Sequence, residues 1–212
     1  ALNHPEVDVY VLLVDERPEE VTDFRRMLKN THVLFSSSDQ SVASHMRMTR
    51  LAMQAAVHWA EAGRDIVVLI DSLTRMARAF NAETRSYGRT LTGGLGADAM
   101  AVPRKIFGAA RNIEDGGSLT IMATILVDTG SRMDDIIFQE FKGTGNMDLV
   151  LSRECAEQRI WPAINIHKSG TRKEERLLDS GEYQEVLKIR RVLAQKDGMT
   201  AMSQLLEYFQ QK

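Results

Sequence analysis

The sequence predicts an α/β fold: a mostly parallel sheet covered by helices on both faces. Three observations predict it. Val7–Val14, Ile66–Ile70 and Leu119–Val127 are near-continuous apolar runs of strand length, the pattern of strands buried on both faces. Segments with apolar residues at helical spacing separate them, notably Val42–Ala62 and Leu73–Ala82. Each apolar run then stops at a polar cluster, as strands do where a sheet gives way to a loop.

The elements follow in order. Val7–Val14 (VDVYVLLV) ends at Asp15-Glu16-Arg17-Pro18. Pro18 suits the first helical position, and Glu19 and Glu20 suit the first turn, so a helix runs to about Lys29. Val33–Phe35 is a short strand, and the polar connector Ser36–Ser41 carries capping residues for the helix that ends at Gly63. Ile66–Ile70 ends at Asp71-Ser72, and a helix follows. The stretch from Thr84 to Gly96 is rich in Gly, Ser, Thr and Arg and reads as a long loop. Asp98–Asn112 is helical with a break near Pro103. Leu119–Val127 ends at Asp128-Thr129-Gly130-Ser131-Arg132. Asp148–Leu151 and Ile160–Ile166 are weaker strands, and Glu182–Gln195 and Thr200–Gln211 are helices. A charged run over Lys173–Gly181 divides the chain into a core over 1–177 and a C-terminal helical subdomain over 178–212, packed on that core.

Composition narrows the function. The chain has 212 residues, 43% hydrophobic and 26% charged, which is neither disordered nor fibrous. Its net charge of −2 implies no chain-wide polyanion surface. One cysteine, Cys155, excludes an internal disulfide and argues against a cysteine zinc site. No apolar run approaches the ~18 residues that span a bilayer, and no secretory signal is visible. None of the 14 glycines precedes a lysine, so the phosphate-cradling G-x-x-x-x-G-K-[ST] loop is missing from these residues. His4, His32, His45, His58 and His167 do not cluster at metal-ligand spacing and receive no role.

Open α/β sheets bind ligands at the carboxyl ends of their strands. If the strands are parallel, the clusters at Asp15-Glu16-Arg17, Asp71-Ser72 and Asp128–Ser131 converge on one edge. Magnesium is commonly held by one or two carboxylates with substrate phosphates and water, and a nearby carboxylate can orient an attacking water. The competing reading is that these are caps and loop residues. Between Ser72 and Asn112, seven basic residues face two acidic ones, a local charge of +5 around a glycine-bearing loop. Such a loop can follow a phosphate backbone. The blander reading makes Arg75 and Arg78 a solvated helix face. Ser169-Gly170-Thr171-Arg172 forms a turn that could project Arg172 towards a neighbouring subunit's phosphate charge.

At these residues a resemblance enters. VLLVDERPEEV (Val11–Val21), VVLIDSLTRMARAFN (Val67–Asn81), LTGGLGADAM (Leu91–Met100), FGAARNIEDGGSLTIMATILVDTGSRMDD (Phe107–Asp135), EFKGTGNMDLVLSR (Glu140–Arg153), RIWPAINI (Arg159–Ile166) and SGTRKEE (Ser169–Glu175) span nearly the whole chain in order. Together they resemble the C-terminal ATPase domain of the Rho family of bacterial transcription termination factors. The likeness to RecA-like and rotary ATP synthase domains is more distant.

The resemblance implies a RecA-like fold, ATP and Mg2+ as ligands, and a cytoplasmic bacterial homohexamer that moves along nascent RNA and releases it from RNA polymerase, with no membrane partner. It implies Asp71 as the carboxylate on magnesium, Glu16 as the residue that activates water and Arg17 as a nucleotide-state sensor. Arg172 would be the arginine finger, with Arg159 a second candidate. Trp161 stands where the family usually has Phe against adenine. Arg89, Thr90, Leu91, Thr92, Gly93 and Gly94 resemble the first RNA-gripping channel loop, and Gly130, Ser131 and Arg132 the second. Arg89 and Arg132 stand where Lys is usual, which keeps the charge and alters the contact geometry.

In the family the phosphate loop precedes the strand beginning near Val7, so the chain is expected to be a fragment that does not hydrolyse ATP alone. The alternative is a non-hydrolysing RNA-contact or assembly fragment. A RecA-type recombinase or protein-export ATPase is disfavoured by the DERPEEV, GTGNMDL and SGTRKEE segments taken together.

Overall fold

A computed structural model of the chain describes residues 3–84, 94–96 and 98–210. It forms two compact units, Ala1–Thr144 and Gly145–Lys212. The sequence places a division near 177/178. The unit holding the last two helices begins earlier because its core joins Met202 and Leu206 to Cys155, Ile160, Ala163 and Ile164.

The first unit contains β1 (Asp8–Glu16), α1 (Pro18–Met27), β2 (His32–Ser37), α2 (Val42–Glu61), β3 (Asp65–Asp71) and α3 (Leu73–Thr84). It continues with α4 (Ala101–Phe107), β4 (Arg111–Asn112), β5 (Ser118–Ala123) and α5 (Arg132–Phe141). The sheet order is β2-β1-β3-β5-β4. The β1/β2, β1/β3 and β3/β5 pairs are parallel, and only β4 runs antiparallel, against β5. The predicted α/β class with a mostly parallel sheet is borne out.

Period-two alternation on β1 builds both layers. Tyr10, Leu12 and Val14 join the core that includes Met53 and Ala56 of α2 and Met76 and Phe80 of α3. Val11 and Leu13 face the other way, against Val21 and Phe24 of α1. Each fully buried Val or Leu of this kind contributes about 1.5–3 kcal/mol. Tyr10 also stacks on Trp59 of α2 with ring centroids 4.8 Å apart, so this tryptophan packs the core.

Local signals explain the element ends. Ser41 caps α2 by accepting from the Ser44 amide, and Gly63, at φ +92°, closes it. At the start of β5 the chain passes so close to β3 that a Cβ on Gly117 would lie 2.0 Å from the Arg64 carbonyl oxygen. Only glycine fits there.

Several sequence expectations need correction. The strand expected over Leu119–Val127 stops at Ala123. β3 has ended at Asp71, so the next residues bond to the start of α3 instead: Leu73 donates to the Thr124 carbonyl (2.9 Å) and Leu126 to Thr74 Oγ1 (2.9 Å). β5 is also half open, with Met122 55% exposed. The helix expected over Asp98–Asn112 covers only Ala101–Phe107. Pro103 lies in its first turn, where its missing N–H costs no bond, and Arg111–Asn112 has become an edge strand. Helix α5 was legible in the spacing of Met133, Ile136, Ile137 and Phe141 but was not anticipated.

The second unit holds β6 (Met147–Asp148) paired antiparallel with β7 (Gly170–Thr171), α6 (Arg153–Glu157), a 3-10 turn at Glu174–Arg176, α7 (Ser180–Leu193) and α8 (Gly198–Gln210). Asp179 and Glu182 form a reciprocal capping box at the start of α7. The strands expected over Asp148–Leu151 and Ile160–Ile166 reduce to β6 and a single Leu151–Ile164 bridge. Among the described residues no helix is long and apolar enough to cross a membrane.

Candidate functional site

Because β1, β3 and β5 are parallel, their carboxyl ends meet on one edge. Leu13 pairs with Asp71 and Ile70 with Ala123, so the register sets Asp71 between the ends of β1 and β5. Thr124 donates its hydroxyl to Asp71 Oδ1 at 2.7 Å. Ser72 caps the start of α3 by accepting from the Arg75 amide at 3.2 Å.

At the end of β1 the strand bulges. Val14 pairs with Ser36 and Glu16 with Ser37, and the skipped residue, Asp15, has φ +58°. The bulge turns Glu16 inward, where it is 3% exposed. Arg75 of α3 holds both residues. Its Nη2 lies 3.1 Å from Glu16 Oε1, and its Nη1 donates to the Asp15 carbonyl. Burial pushes the Glu16 carboxyl above its ordinary range, Glu20 adds to the rise, and Arg75 opposes it. Arg17 is exposed and caps α1, and its amide donates to Glu16 Oε1 at 3.4 Å.

A second cluster lies at the far end of α3. Arg78 donates two hydrogen bonds to Asp134 of α5, at 2.9 and 2.5 Å. Thr129 donates to the same carboxylate at 2.7 Å. Burial alone would raise the Asp134 carboxyl, but the bonds from Arg78 and Thr129 and the Arg78 charge hold it below the usual range. Ser131 caps α5 and Gly130 sits at φ +75°, while Arg132 is exposed at the helix start. Asn81, also on α3 and buried, donates to the Gly94 carbonyl (3.1 Å) and accepts from the Gly96 amide (2.7 Å). It also approaches Met133 Sδ at 3.4 Å. Gly94 and the Gly130–Arg132 turn are therefore anchored on one helix. Arg89, Thr90, Leu91, Thr92 and Gly93 lie outside the described residues.

In the second unit, Arg172 follows β7 and its amide donates to the Asn146 carbonyl at 2.8 Å. Its side chain is exposed. Arg159 follows α6 with φ +59°, and Trp161 is 60% exposed.

Among the described residues no group of three or more His, Cys, Asp or Glu could hold a metal ion by itself. A divalent cation held jointly by one carboxylate and a phosphate chain needs only a single protein carboxylate.

Residues 5–171 match the ATP synthase alpha/beta family, nucleotide-binding domain. The chain belongs to this family. Its relatives sharpen the likeness. Transcription termination factor Rho of Aquifex aeolicus is 53% identical over 206 residues, 97% of this chain and 47% of that protein. The Rho of Rhodopirellula baltica is 49% identical over 208 residues, 97% of this chain and 40% of that protein. The sequence resemblance to Rho is thus borne out, and the chain spans less than half the length of these relatives. In fold, it is similar to an ATPase from the type III secretion system of pathogenic bacteria, with a TM-score of 0.80 at 24% identity, covering 88% of this chain and 55% of that one.

Sequence reasoning named Glu16, Asp71 and the Gly130–Arg132 turn as candidates; of its two readings of Arg75 and Arg78, the solvated helix face does not hold, since both pair with acidic side chains. Their spacing on α3 was visible. Their acidic partners are 59 and 56 residues away in sequence, Glu16 to Arg75 and Arg78 to Asp134, and no local pattern links them. Asn81 and His45 gave no signal beyond being polar residues in apolar helices.

Proposed function

We propose that the chain is the catalytic-edge part of an RNA-dependent ATPase that moves along nascent RNA and releases it from RNA polymerase. The observation that carries this reading is the buried Glu16 carboxylate, held by Arg75 at the same sheet edge as Asp71, in a chain about half identical to Rho proteins. Glu16 is the base that orients and deprotonates the attacking water. Its raised pKa brings it closer to neutral pH, where a base accepts a proton most usefully.

Asp71, with one oxygen fixed by Thr124, holds Mg2+ together with the ATP phosphates. Bound magnesium neutralises phosphate charge. Arg17 reads the nucleotide state, and Trp161 stacks on adenine. Arg172 and, secondarily, Arg159 approach the nucleotide of a neighbouring subunit in a homohexamer. Arg89 to Gly94 and Gly130 to Arg132 contact RNA. The anchoring of Gly94 and Asp134 on α3, the helix that also carries Arg75, gives the nucleotide edge and the RNA loops a common support. The setting is the bacterial cytoplasm.

A second reading, a non-hydrolysing RNA-contact or assembly piece, is favoured by one observation: the 212 residues hold no G-x-x-x-x-G-K-[ST] loop. Turnover is accordingly assigned to the whole gene product and not to these residues alone. The test is ATP hydrolysis by the whole gene product with and without RNA, for the wild type and Arg172→Ala. RNA-stimulated turnover that is lost in Arg172→Ala supports the motor. RNA binding without hydrolysis supports the second reading.

A further inference from the structure

Behind the Glu16 bulge lies a buried polar chain that the catalytic roles above do not use. Ser36 is the next-to-last residue of β2 and is 1% exposed; His45 sits in the first turn of α2 and is 5% exposed. Ser36 Oγ donates to Gln40 Oε1 at 2.8 Å and lies 2.7 Å from His45 Nδ1. A serine hydroxyl has one hydrogen. With that hydrogen directed at Gln40, its oxygen accepts from Nδ1–H, which fixes the ring. The other ring nitrogen, Nε2, lies 3.8 Å from Asp15 Oδ1, the separation of an ion pair and not of a hydrogen bond, so the ring attracts this carboxylate in the form that carries a proton on both nitrogens.

Asp15 is the residue that matters here. It is the bulged, non-glycine residue at φ +58°, a left-handed backbone state that side chains disfavour. Neighbouring groups must hold it there. Its carbonyl is held by Arg75 on one side. On the other side the only ion-pair partner of its carboxylate among the described residues is His45. Glu16, the next residue, takes its direction from this bulge.

We propose that His45 is a positioning residue for Glu16: braced by Ser36, it holds the Asp15 carboxylate and so sets the bulge that aims the Glu16 carboxylate. Ser36 is too buried to serve as a nucleophile, so the Asp–His–Ser order here is a brace and not a hydrolytic triad. His45 bonds Ser36 and faces Asp15, not Glu16. It acts only through Asp15.

The inference rests on the hydrolysis reading above. It is tested with the whole gene product by comparing His45→Gln, His45→Asn and Asp15→Asn with the wild type. A glutamine amide reaches the position of Nε2 and keeps the Asp15 contact. An asparagine amide mimics Nδ1 and keeps only the Ser36 bond. Misplacing a catalytic group by about 1 Å can cost 10²-fold in rate. The expected result is a fall in kcat of about ten- to a hundredfold in His45→Asn and Asp15→Asn, with KM for ATP within about twofold, and substantial recovery of kcat in His45→Gln. A kcat restored by Asn and not by Gln would overturn the inference, since it would make His45 a packing residue for Ser36. Unchanged kcat in all three variants would overturn it as well. Wild-type protein that turns over no ATP would overturn the hydrolysis reading and this inference with it.

Discussion

Arg75 Nη2 lies 3.1 Å from Glu16 Oε1, and Glu16 is buried while Arg75 reaches solvent on its far side. This contact joins the end of β1 to the first turn of α3 and gives a buried carboxylate a cation. A buried charge left without its partner is strongly disfavoured. The pair therefore helps hold Glu16 in place and opposes the burial that makes it hard to ionise.

Arg75→Gln removes the larger of two influences that lower the Glu16 pKa and leaves only the Arg17 amide against burial and Glu20. A base must be ionised to act, so turnover fails on the acid side as Glu16 takes up its proton. The acid limb of kcat/KM, which reports the free enzyme, is expected above the ordinary glutamate range in the wild type and at still higher pH in Arg75→Gln. Rate measurements across pH on both proteins check this, and superimposed acid limbs would contradict it. The same shift has a stability consequence. Because the folded pKa is raised, the native state binds more protons than the unfolded one between the two values, and this group's contribution to stability falls as pH rises through that window.

Asp134 is expected to behave in the opposite sense. Its folded pKa is lowered, so its contribution is present above the unfolded value and lost as pH falls through the folded value. Arg78→Ala strands a carboxylate that is 1% exposed. The expected cost is about 2 kcal/mol, because Arg78 itself is part exposed and water takes over some of its role. Urea denaturation of the two proteins at neutral pH measures it. In Asp134→Asn the acid-side loss of stability should shrink.

Gly117→Ala should destabilise without touching the catalytic edge, since Gly117 precedes the opposite end of β5. A Cβ 2.0 Å from a backbone oxygen forces the β3/β5 entry apart. Overpacking of this kind costs about 1–3 kcal/mol or more. Thermal unfolding checks it, and an unchanged Tm would show that the close approach at Arg64 relaxes freely.

Trp161 is expected to act on binding. Trp161→Ala should raise KM for ATP several-fold, and Trp161→Phe should restore it, since either ring offers a stacking face. Steady-state kinetics in the whole gene product separate these outcomes. An unchanged KM in Trp161→Ala would remove this residue from the adenine site.

Much of this was legible in the sequence where one face or one strand decides the outcome. The apolar runs of β1 and β3 could be buried only in a covered parallel sheet, and their parallel pairing brought Glu16 and Asp71 to one edge as expected. The limits were equally physical. Apolar character continued past Ala123, but a strand needs a neighbour, and β3 had ended. Pro103 read as a helix break because sequence alone did not show that it would fall in a first turn. Arg75, Arg78, Asn81 and His45 act through partners brought close only by the fold. The bulge at Asp15 left no mark in composition, since an aspartate at positive φ is written like any other.

The most direct test of the central claim is Glu16→Gln in the whole gene product, with ATP binding and RNA-stimulated hydrolysis measured side by side. The amide keeps the shape and the hydrogen bond from Arg75 but cannot take a proton. The account predicts ATP affinity within about twofold of wild type and turnover reduced by about 10²- to 10⁴-fold, the range of a positioned general base. Turnover at the wild-type rate would contradict it.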